Sequence, residues 1–597
     1  MMSADEHVPA SVREHALSRA RALIDVAARP GTRQERVTRR NLRRLFSDPR
    51  AVDVTITLTD EVMRFHSSDS AGVALRGAAA KTSVKGFGLI NMFGLRALAL
   101  SSRVAPPMAL GVVAAKIRSL TQNLILDADP DELTKQFAHH AGEGLRLNVN
   151  VLGEAVLGER EADDRLARVL QVVRRPDVNY VSVKLSSIVS QLLTIDRTGS
   201  LERVANKLRT LYREAAANDT FVNLDMEEYR DLRLTLDAFR TVLDEPEFLP
   251  LHAGIVLQAY LPESHAALDE IITFSKRRHR EGGGIVKVRL VKGANLAMEH
   301  VEAELHRWQA APYGSKADVD ASYLRLVDVA LRPEHAKSLR VGVASHNLFH
   351  VAWAIELAKA RGVLEQLDIE MLEGMANAEA LALTKSGQPV LLYAPITRRD
   401  DFASAVAYLV RRLDENTAPE NYLRAALFIA NDRAVYREQE DRFVTALDER
   451  STSMTRHGAI ASTWRRDTST TNPTAIPLPL TTSTRWKPLL ASCWRRTTEP
   501  SIPSTISRGM DPMTTRTATI PTTTFDRGIA IASQPSTKLI RFSSSRVPAS
   551  QRGTAGTWKS VGPSSCARRT SCPNDEPASS RSWLATVARP WPKRTPR

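Results

Sequence analysis

The first 450 residues of this 597-residue chain contain no cysteine. The three cysteines, Cys493, Cys566 and Cys572, all lie in the last 147 residues. Their spacings match neither a metal site nor a disulfide framework. The first 450 residues therefore offer no cysteine nucleophile and no cysteine-bound zinc.

Acidic residues are scarce at the other end of the chain. The last 147 residues hold 6 Asp plus Glu against 22 Lys plus Arg, of 67 and 82 in the whole chain. Subtraction leaves 61 and 60 for the first 450 residues, so the net charge of +15 divides into −1 there and +16 in the tail. Since only the tail is basic, the first 450 residues have the charge balance of a soluble enzyme, and we expect no nucleic-acid partner for them.

The tail also has no hydrophobic period of 2 or 3.6 residues. Its 147 residues include 48 Ser plus Thr, 16 of the 31 prolines and six of the eight tryptophans. Such a composition cannot bury enough apolar surface to offset the entropy of ordering. We interpret residues 431–597 as a linker and a basic tail that is disordered or translated out of frame.

No uninterrupted apolar run is long enough to span a bilayer. The most apolar stretch, residues 87–117, is broken by charged residues and by Pro106 and Pro107. An apolar helical pair packed on the barrel predicted below is the favoured interpretation, and a peripheral membrane contact is the alternative. The amino-terminal residues lack a secretory pattern, so we expect a cytoplasmic protein, with the inner face of the membrane as its possible peripheral site.

A repeating unit starts near residue 145, with a short β-branched run, a turn and a longer amphipathic stretch. Eight such runs begin at residues 147, 179, 221, 254, 284, 339, 369 and 389. Eight βα units suit a closed barrel because closure removes both sheet edges. The sequence therefore predicts an α/β fold: a (β/α)₈ TIM-type barrel over residues 145–430, preceded by a helical arm over residues 1–144.

Polar side chains follow strand after strand of this predicted barrel. They are Glu154, Lys184, Asp225, Gln258, Arg289, Ser345 and His346. Barrel enzymes carry their chemistry at the carboxyl ends of the strands, although a single polar residue there is more often a cap. The repetition on successive units favours an active site at this end.

Two segments add chemistry to that end of the barrel. VKVRLVKGA, residues 286–294, brings Arg289 to the mouth, and its Lys-Gly-Ala turn is small enough for a phosphate to approach the backbone. The helix AYLVRRLDEN has Tyr408, Arg411 and Arg412 on one face. Two guanidinium groups there suit a carboxylate, and a solvated arginine pair is an equal alternative.

The order of nine motifs resembles the proline dehydrogenase family, and most closely the amino-terminal half of the bifunctional bacterial enzymes that convert proline to glutamate. The resemblance covers about residues 85–430 and rests on VLGEA, VKLSS, NLDMEE, LQAY, VRLVKGA, SHN, MLEGM, YAP and YLVRRLDEN. The resemblance implies an oxidoreductase that oxidises L-proline to delta-1-pyrroline-5-carboxylate. It also implies that hydride goes to FAD and that the electrons pass to a quinone, in the first step of proline catabolism to glutamate.

The resemblance also implies roles for individual residues. Asp225 and Arg289 are expected to be the catalytic pair. Residues expected to contact FAD are Met226, Gln258, Arg289, Lys292, Gly293, Ala294, Ser345 and His346. Residues expected to contact the substrate are Lys184, Leu372, Tyr393, Tyr408, Arg411, Arg412 and Glu154, the last by pairing with Arg411. No metal is expected.

Two other functions stay open at this point. The bifunctional relatives also oxidise glutamate semialdehyde with NAD, but the tail has neither a Gly-rich strand-to-helix turn nor a recognisable nucleophilic-cysteine segment, so we expect that activity to be absent. A proline-sensing barrel with a nucleic-acid-binding tail is the non-enzymatic alternative, suggested by the +16 charge of the tail. The sequence leaves the oligomeric state open.

Overall fold

A computed structural model describes much of the chain up to residue 451. The described residues are 9–29, 40–41, 43–45, 47–59, 62, 67–121, 124–153, 155–193, 195–226, 228–398, 405, 408–409, 412 and 420–451. The predictions for residues 452–597, including those for the three cysteines, lie outside this part.

Eight parallel strands form a closed barrel. In chain order they are β1 Leu145–Val151, β2 Tyr180–Lys184, β3 Phe221–Asp225, β4 Ala253–Gln258, β5 Val286–Val291, β6 Leu339–Ala344, β7 Leu367–Leu372 and β8 Val390–Thr397. Each strand pairs with the next, and β8 closes the barrel by pairing with both β7 and β1. A two-residue strand, Leu126–Asp127, pairs with the end of β8. The predicted barrel and all eight predicted strands are confirmed.

The strands are buried because helices cover the outside of the barrel and side chains fill its inside. Val288, Ile255 and Val343 have no measurable exposure. These β-branched residues pack well on a pleated surface that is covered on both faces. Polar residues in the same strands, such as Asn223 and Arg289, are also buried, so they must find partners inside the barrel.

The helices of the described part alternate with the strands from residue 159 onward. In chain order they are α1 Ala10–Ala28, α2 Pro49–Thr59, α3 Ser68–Ala80, α4 Val84–Ser101, α5 Pro106–Thr121, α6 Pro130–Gly142, α7 Glu159–Val173, α8 Leu185–Ile188, α9 Arg197–Ala217, α10 Leu232–Leu243, α11 Glu263–Arg280, α12 Leu296–His306, α13 Lys316–Ala330, α14 Leu348–Ala360, α15 Asn377–Lys385, α16 Tyr422–Ala426 and α17 Arg433–Glu449. Four 3₁₀ turns, Tyr229–Asp231, Pro246–Phe248, Pro333–His335 and Leu364–Gln366, lie between them.

Apart from α6, which packs on β1, the described helices before the barrel fall into two groups. Helix α1 packs on α14 and α15, and Arg19 forms an ion pair with Glu356 across that contact. Helices α2 to α5 pack on one another around Leu75, in a cluster separate from the barrel core. The apolar pair α4 and α5 thus packs on other arm helices, where the sequence analysis expected the barrel. In the described part, none of the helices combines the length and apolarity needed to cross a bilayer.

A helix beyond the predicted end of the barrel also covers it. Helix α17 packs mainly on α13 and buries Phe443, and Arg450 at its carboxyl end forms an ion pair with Asp328 of α13. The folded unit therefore extends to about residue 450, twenty residues past the predicted boundary. The amphipathic pattern of residues 433–449 carries this packing, since Tyr436, Phe443 and Leu447 lie on its buried side.

Candidate active site

The predicted site residues lie at the carboxyl ends of the barrel strands. Lys184, Asp225, Gln258 and Leu372 are the last residues of β2, β3, β4 and β7. Lys184 pairs in register with Asp225, and Leu372 with Tyr393 of β8. The closure of the barrel between β8 and β1 places Tyr393 in register with Asn148, 245 positions away in sequence.

Arg289 is the centre of this site. Its side chain is 5% exposed, and its guanidinium donates in three directions: Nε to Glu370 at 2.6 Å, Nη1 to Asp225 at 2.9 Å and Nη2 to Ser182 at 3.2 Å. Burial lowers the pKa of Arg289, but the charges of Glu370 and Asp225 raise it well above its ordinary value overall. Arg289 is thus a permanently charged group with a fixed orientation.

Asp225 connects Arg289 to Tyr393. The Tyr393 hydroxyl donates to Asp225 Oδ2 at 2.8 Å, and the Arg289 guanidinium lies 5.5 Å from the centre of the Tyr393 ring. Burial, and then the charge of Asp225, raise the pKa of Tyr393 well above its ordinary value. Tyr393 therefore remains a neutral donor over the physiological pH range, and both oxygens of Asp225 have a partner.

A second buried charged group, which the sequence did not predict as part of the site, is joined to Arg289 through Glu370. Lys287 forms ion pairs with Glu370 at 2.7 Å and with Asp368 at 2.8 Å, and the three side chains are 8% exposed or less. The sequence does contain a sign of these buried charges. VKVRLV and LDIEML each have two charged residues, two positions apart, in an otherwise apolar strand. Alternate residues face the same side of a strand, so two strands of opposite charge can pair inside the barrel.

The Lys-Gly-Ala turn follows β5. Lys292 and Ala294 are half-buried, and Lys292 Nζ is 2.5 Å from Asp320 Oδ1, while Lys316 Nζ is 2.6 Å from Asp320 Oδ2. Burial raises the pKa of Asp320, but the charges of Lys292 and Lys316 lower it below its ordinary value overall. Asp320 of α13 had no distinguishing signal in the sequence.

Glycine is required in this turn for a reason that the sequence did not suggest. Gly293 has a φ of 125°, and a Cβ there would lie 2.5 Å from the Tyr260 ring. The Tyr260 backbone N–H also donates to the Lys292 carbonyl at 2.8 Å. A larger residue would therefore force Tyr260 out of its buried position.

The Ser-His-Asn segment after β6 faces the same mouth. The Ser345 N–H donates to the Glu370 carbonyl at 3.1 Å, and the Asn347 N–H donates to Ser345 Oγ. Burial, and then the charge of Arg412, lower the pKa of His346 to about 4, so the ring is neutral at pH 7. Nδ1 of His346 is buried and has no hydrogen-bond partner in the part of the chain that the structure describes.

Met226 and Gln258 close the opposite side of the strand ends. Gln258 is 2% exposed and Met226 7%, and Gln258 Nε2 lies 3.4 Å from the Met226 carbonyl. The amide of Gln258 is therefore a buried polar group at the end of β4.

Tyr408 and Arg412 also reach this region. The Arg412 guanidinium lies 5.0 Å from the centre of the Tyr408 ring, and its charge helps to lower the pKa of His346. Tyr408 in turn helps to raise the pKa of Tyr393. Glu154 and Arg411 lie outside the described residues. The other predicted site residues lie around the mouth of one barrel, although only some of them touch.

Comparison with known proteins fits this geometry. The profile of the family described as "Proline dehydrogenase" matches residues 133–425. The chain is 27% identical over 278 residues to "Proline dehydrogenase 2" of Bacillus subtilis (46% of this chain, 78% of that protein), and 26% identical over 299 residues to "Bifunctional protein PutA" of Klebsiella aerogenes (47% and 22%). A solved structure of proline utilization A from Corynebacterium freiburgense has 48% identity and a TM-score of 0.52, covering 57% of this chain and 34% of that one.

The chain spans less than a quarter of the bifunctional relative from Klebsiella aerogenes, and the match falls on the barrel and its flanks. The matched segment contains the eight strands and the Arg289, Asp225 and Tyr393 cluster. On this match and this fold, the barrel is a domain of the proline dehydrogenase family.

Proposed function

We propose that the barrel oxidises L-proline to delta-1-pyrroline-5-carboxylate, the first step of proline catabolism to glutamate. The observation that carries the proposal is the Arg289 guanidinium, which Glu370, Asp225 and Ser182 hold in one orientation at the mouth of a barrel of this family. Proline oxidation requires a fixed ring, a neutralised carboxylate and a cationic group near the electron acceptor.

The residues proposed to hold FAD fit such a group. His346 has a buried Nδ1 without a partner in the described part of the chain, and Gln258 brings a buried amide to the strand ends. The cofactor contacts would come from Met226, Gln258, Arg289, Lys292, Gly293, Ala294, Ser345 and His346. When bound, FAD supplies the two-electron acceptor for the hydride that leaves the ring carbon next to nitrogen.

The substrate would lie against the other residues of the mouth. Lys184 and Arg412, with Arg411, supply positive charge for the carboxylate, while Leu372, Tyr393 and Tyr408 provide the apolar surface for the ring. Asp225 holds the Tyr393 hydroxyl and Arg289 in place at once, so the wall of the substrate site and the cationic group move as one unit. Glu154 would complete the site by pairing with Arg411.

We further propose that the electrons pass to a quinone, and that the cytoplasmic protein reaches it by peripheral contact with the inner face of the membrane. Helices α4 and α5 support this contact, since they expose Leu89, Phe93, Leu100, Met108 and Val112, each by more than half. Residues 70–126 contain seven Lys plus Arg and no Asp or Glu. An apolar helix face in a segment whose own charged residues are all positive suits an anionic lipid surface.

The catalytic proposal is tested by the visible spectrum of the purified chain. We expect flavin absorption that bleaches when L-proline is added without air and returns with a quinone analogue. A colourless protein that FAD cannot reconstitute would refute the proposal. A flavoprotein that proline does not bleach would leave the fold and cofactor in place and refute the substrate.

The membrane proposal has its own test in vesicle sedimentation. We expect the chain to sediment with vesicles rich in phosphatidylglycerol and to remain in solution with phosphatidylcholine alone, because the charged residues of positions 70–126 are all positive. Phe93→Glu should abolish sedimentation without changing the flavin spectrum. Equal sedimentation of the variant would exclude this face as the contact.

A further inference from the structure

Glu370 is the buried carboxylate that joins the two positive side chains of β5. Its Oε2 accepts from Arg289 Nε at 2.6 Å, and its Oε1 lies 2.7 Å from Lys287 Nζ. It is 2% exposed, so both contacts are shielded from water. Charged hydrogen bonds are strongest where water is excluded, and Glu370 is therefore well placed to control where Arg289 lies.

The space that the Glu370 carboxylate occupies exists because residue 342 is glycine. Glu370 lies on β7 and its two partners on β5, so the contact passes over the intervening strand β6. Gly342 of β6 pairs in register with Arg289, and a Cβ there would lie 2.3 Å from Glu370 Oε1 and 3.0 Å from Lys287 Cε. The φ of Gly342 is not positive, so the close approach, rather than the backbone conformation, requires glycine here.

The three partners of Arg289 act on different nitrogens. Asp225 and Ser182 accept from the two terminal nitrogens, whereas Glu370 accepts from Nε, the nitrogen nearest the chain. A contact at Nε restricts rotation of the whole guanidinium plane about the side-chain stem. Glu370 also places a negative charge against Arg289, and this reduces the positive potential at the mouth.

We propose that Glu370 is a positioning residue that fixes the plane of Arg289 and sets the positive potential that a bound flavin experiences. This inference rests on the proposed function, because it concerns the flavin next to Arg289. Within the described residues, the Glu370 carboxylate is bound by Arg289 and Lys287, and only its backbone carbonyl accepts from another proposed site residue, the Ser345 N–H. Its removal should therefore change the properties of the flavin and the rate of oxidation more than the binding of proline.

The test is Glu370→Gln, which keeps the shape and an acceptor oxygen but removes the charge. We expect the two-electron midpoint potential of the bound FAD to rise by about 30 mV, which corresponds to about tenfold in the equilibrium constant of reduction. We expect kcat to fall about tenfold and KM for proline to change little, since Arg289 loses its fixed plane. Potentials are measured by reduction against a reference dye, independently of turnover.

Asp368→Asn is the matched control. Asp368 is also a buried carboxylate on β7 and pairs with Lys287, but its partners do not include Arg289. Its removal should shift the potential much less than Glu370→Gln does. Equal shifts in the two variants would overturn the proposal, because the effect would then reflect the charge of the barrel interior in general.

A second variant covers the case in which Glu370→Gln leaves Lys287 without enough negative charge for folding. The pair Lys287→Met with Glu370→Gln removes one charge of each sign. We expect it to bind FAD with a potential near that of the wild type and to retain the lower kcat. An unchanged potential and kcat in flavin-bound Glu370→Gln would refute the assignment, as would loss of flavin from both variants. Absence of flavin from the wild type would instead refute the proposed function.

Discussion

The hydroxyl of Tyr393 offers a sharp test of how the site is organised. It donates to Asp225 at 2.8 Å, while the ring lies 5.5 Å from the Arg289 guanidinium. Tyr393→Phe removes the hydrogen bond and keeps the ring, so the contact with Arg289 should persist. Hydrogen bonds to charged groups contribute roughly 1.5 to 3 kcal/mol, so we expect kcat/KM for proline to fall about ten- to hundredfold.

The pH dependence adds a second signature to this variant. Burial, and then the charge of Asp225, hold the pKa of Tyr393 well above its ordinary value, so the hydroxyl donates throughout the range from about pH 6 to 9. The loss in kcat/KM should therefore be constant across that range. Steady-state kinetics with a quinone analogue, on samples matched for FAD content, measure it.

Tyr212→Phe is the control for removal of a buried hydroxyl. Tyr212 of α9 is fully buried, and its hydroxyl has no hydrogen-bond partner within the described residues. We expect wild-type kinetics and a free energy of unfolding that is unchanged or slightly higher, because an unpaired buried hydroxyl is destabilising. Wild-type kcat/KM in Tyr393→Phe, with full flavin, would refute the idea that the bond between Asp225 and Tyr393 organises the site.

Three further predictions follow from the fold and its charges. Arg412→Ala should lower kcat/KM for proline about ten- to hundredfold with little change in flavin content. Arg412→Lys should recover only part of the lost kcat/KM, since an ammonium group lacks the planar pair of donors of a guanidinium. Wild-type kinetics in Arg412→Ala would exclude Arg412 from the substrate site. A chain ending at residue 451 should retain flavin and activity, whereas one ending at residue 430 loses α17 and should be poorly soluble; equal behaviour of the two chains would contradict the packing of α17 on the barrel. Burial, and then the charge of Arg325, lower the pKa of His265 to about 3, so the contribution of the neutral ring to stability is complete above about pH 6.5 and is lost as the pH falls toward 3. In thermal unfolding, the melting temperature of His265→Gln should therefore fall less steeply with decreasing pH than that of the wild type. An identical slope of melting temperature against pH would refute the assignment.

Several structural features could be predicted from the sequence because they depend on local pattern. Apolar β-branched runs that alternate with amphipathic stretches determine strands and helices, and eight repeats favour a closed barrel. Asp225, Gln258 and Lys184 were placed correctly at strand ends because each directly ends such a run. The prediction of a linker at helix α17 is wrong, because the many charged residues of this segment obscure the apolar residues that pack on α13.

The partners of the site residues depended on the tertiary structure. Glu370 pairs with Arg289 across 81 positions, and Tyr393 with Asp225 across 168. No local pattern specifies such pairs, because they arise from the register of strands that the closed barrel brings together. The sequence by itself determined which residues carry charge at the strand ends and that the strands would close into a barrel. Only the tertiary structure decided that Arg289 is held by Glu370, Asp225 and Ser182, because the shear of the barrel and the gap at Gly342 set which side chains meet.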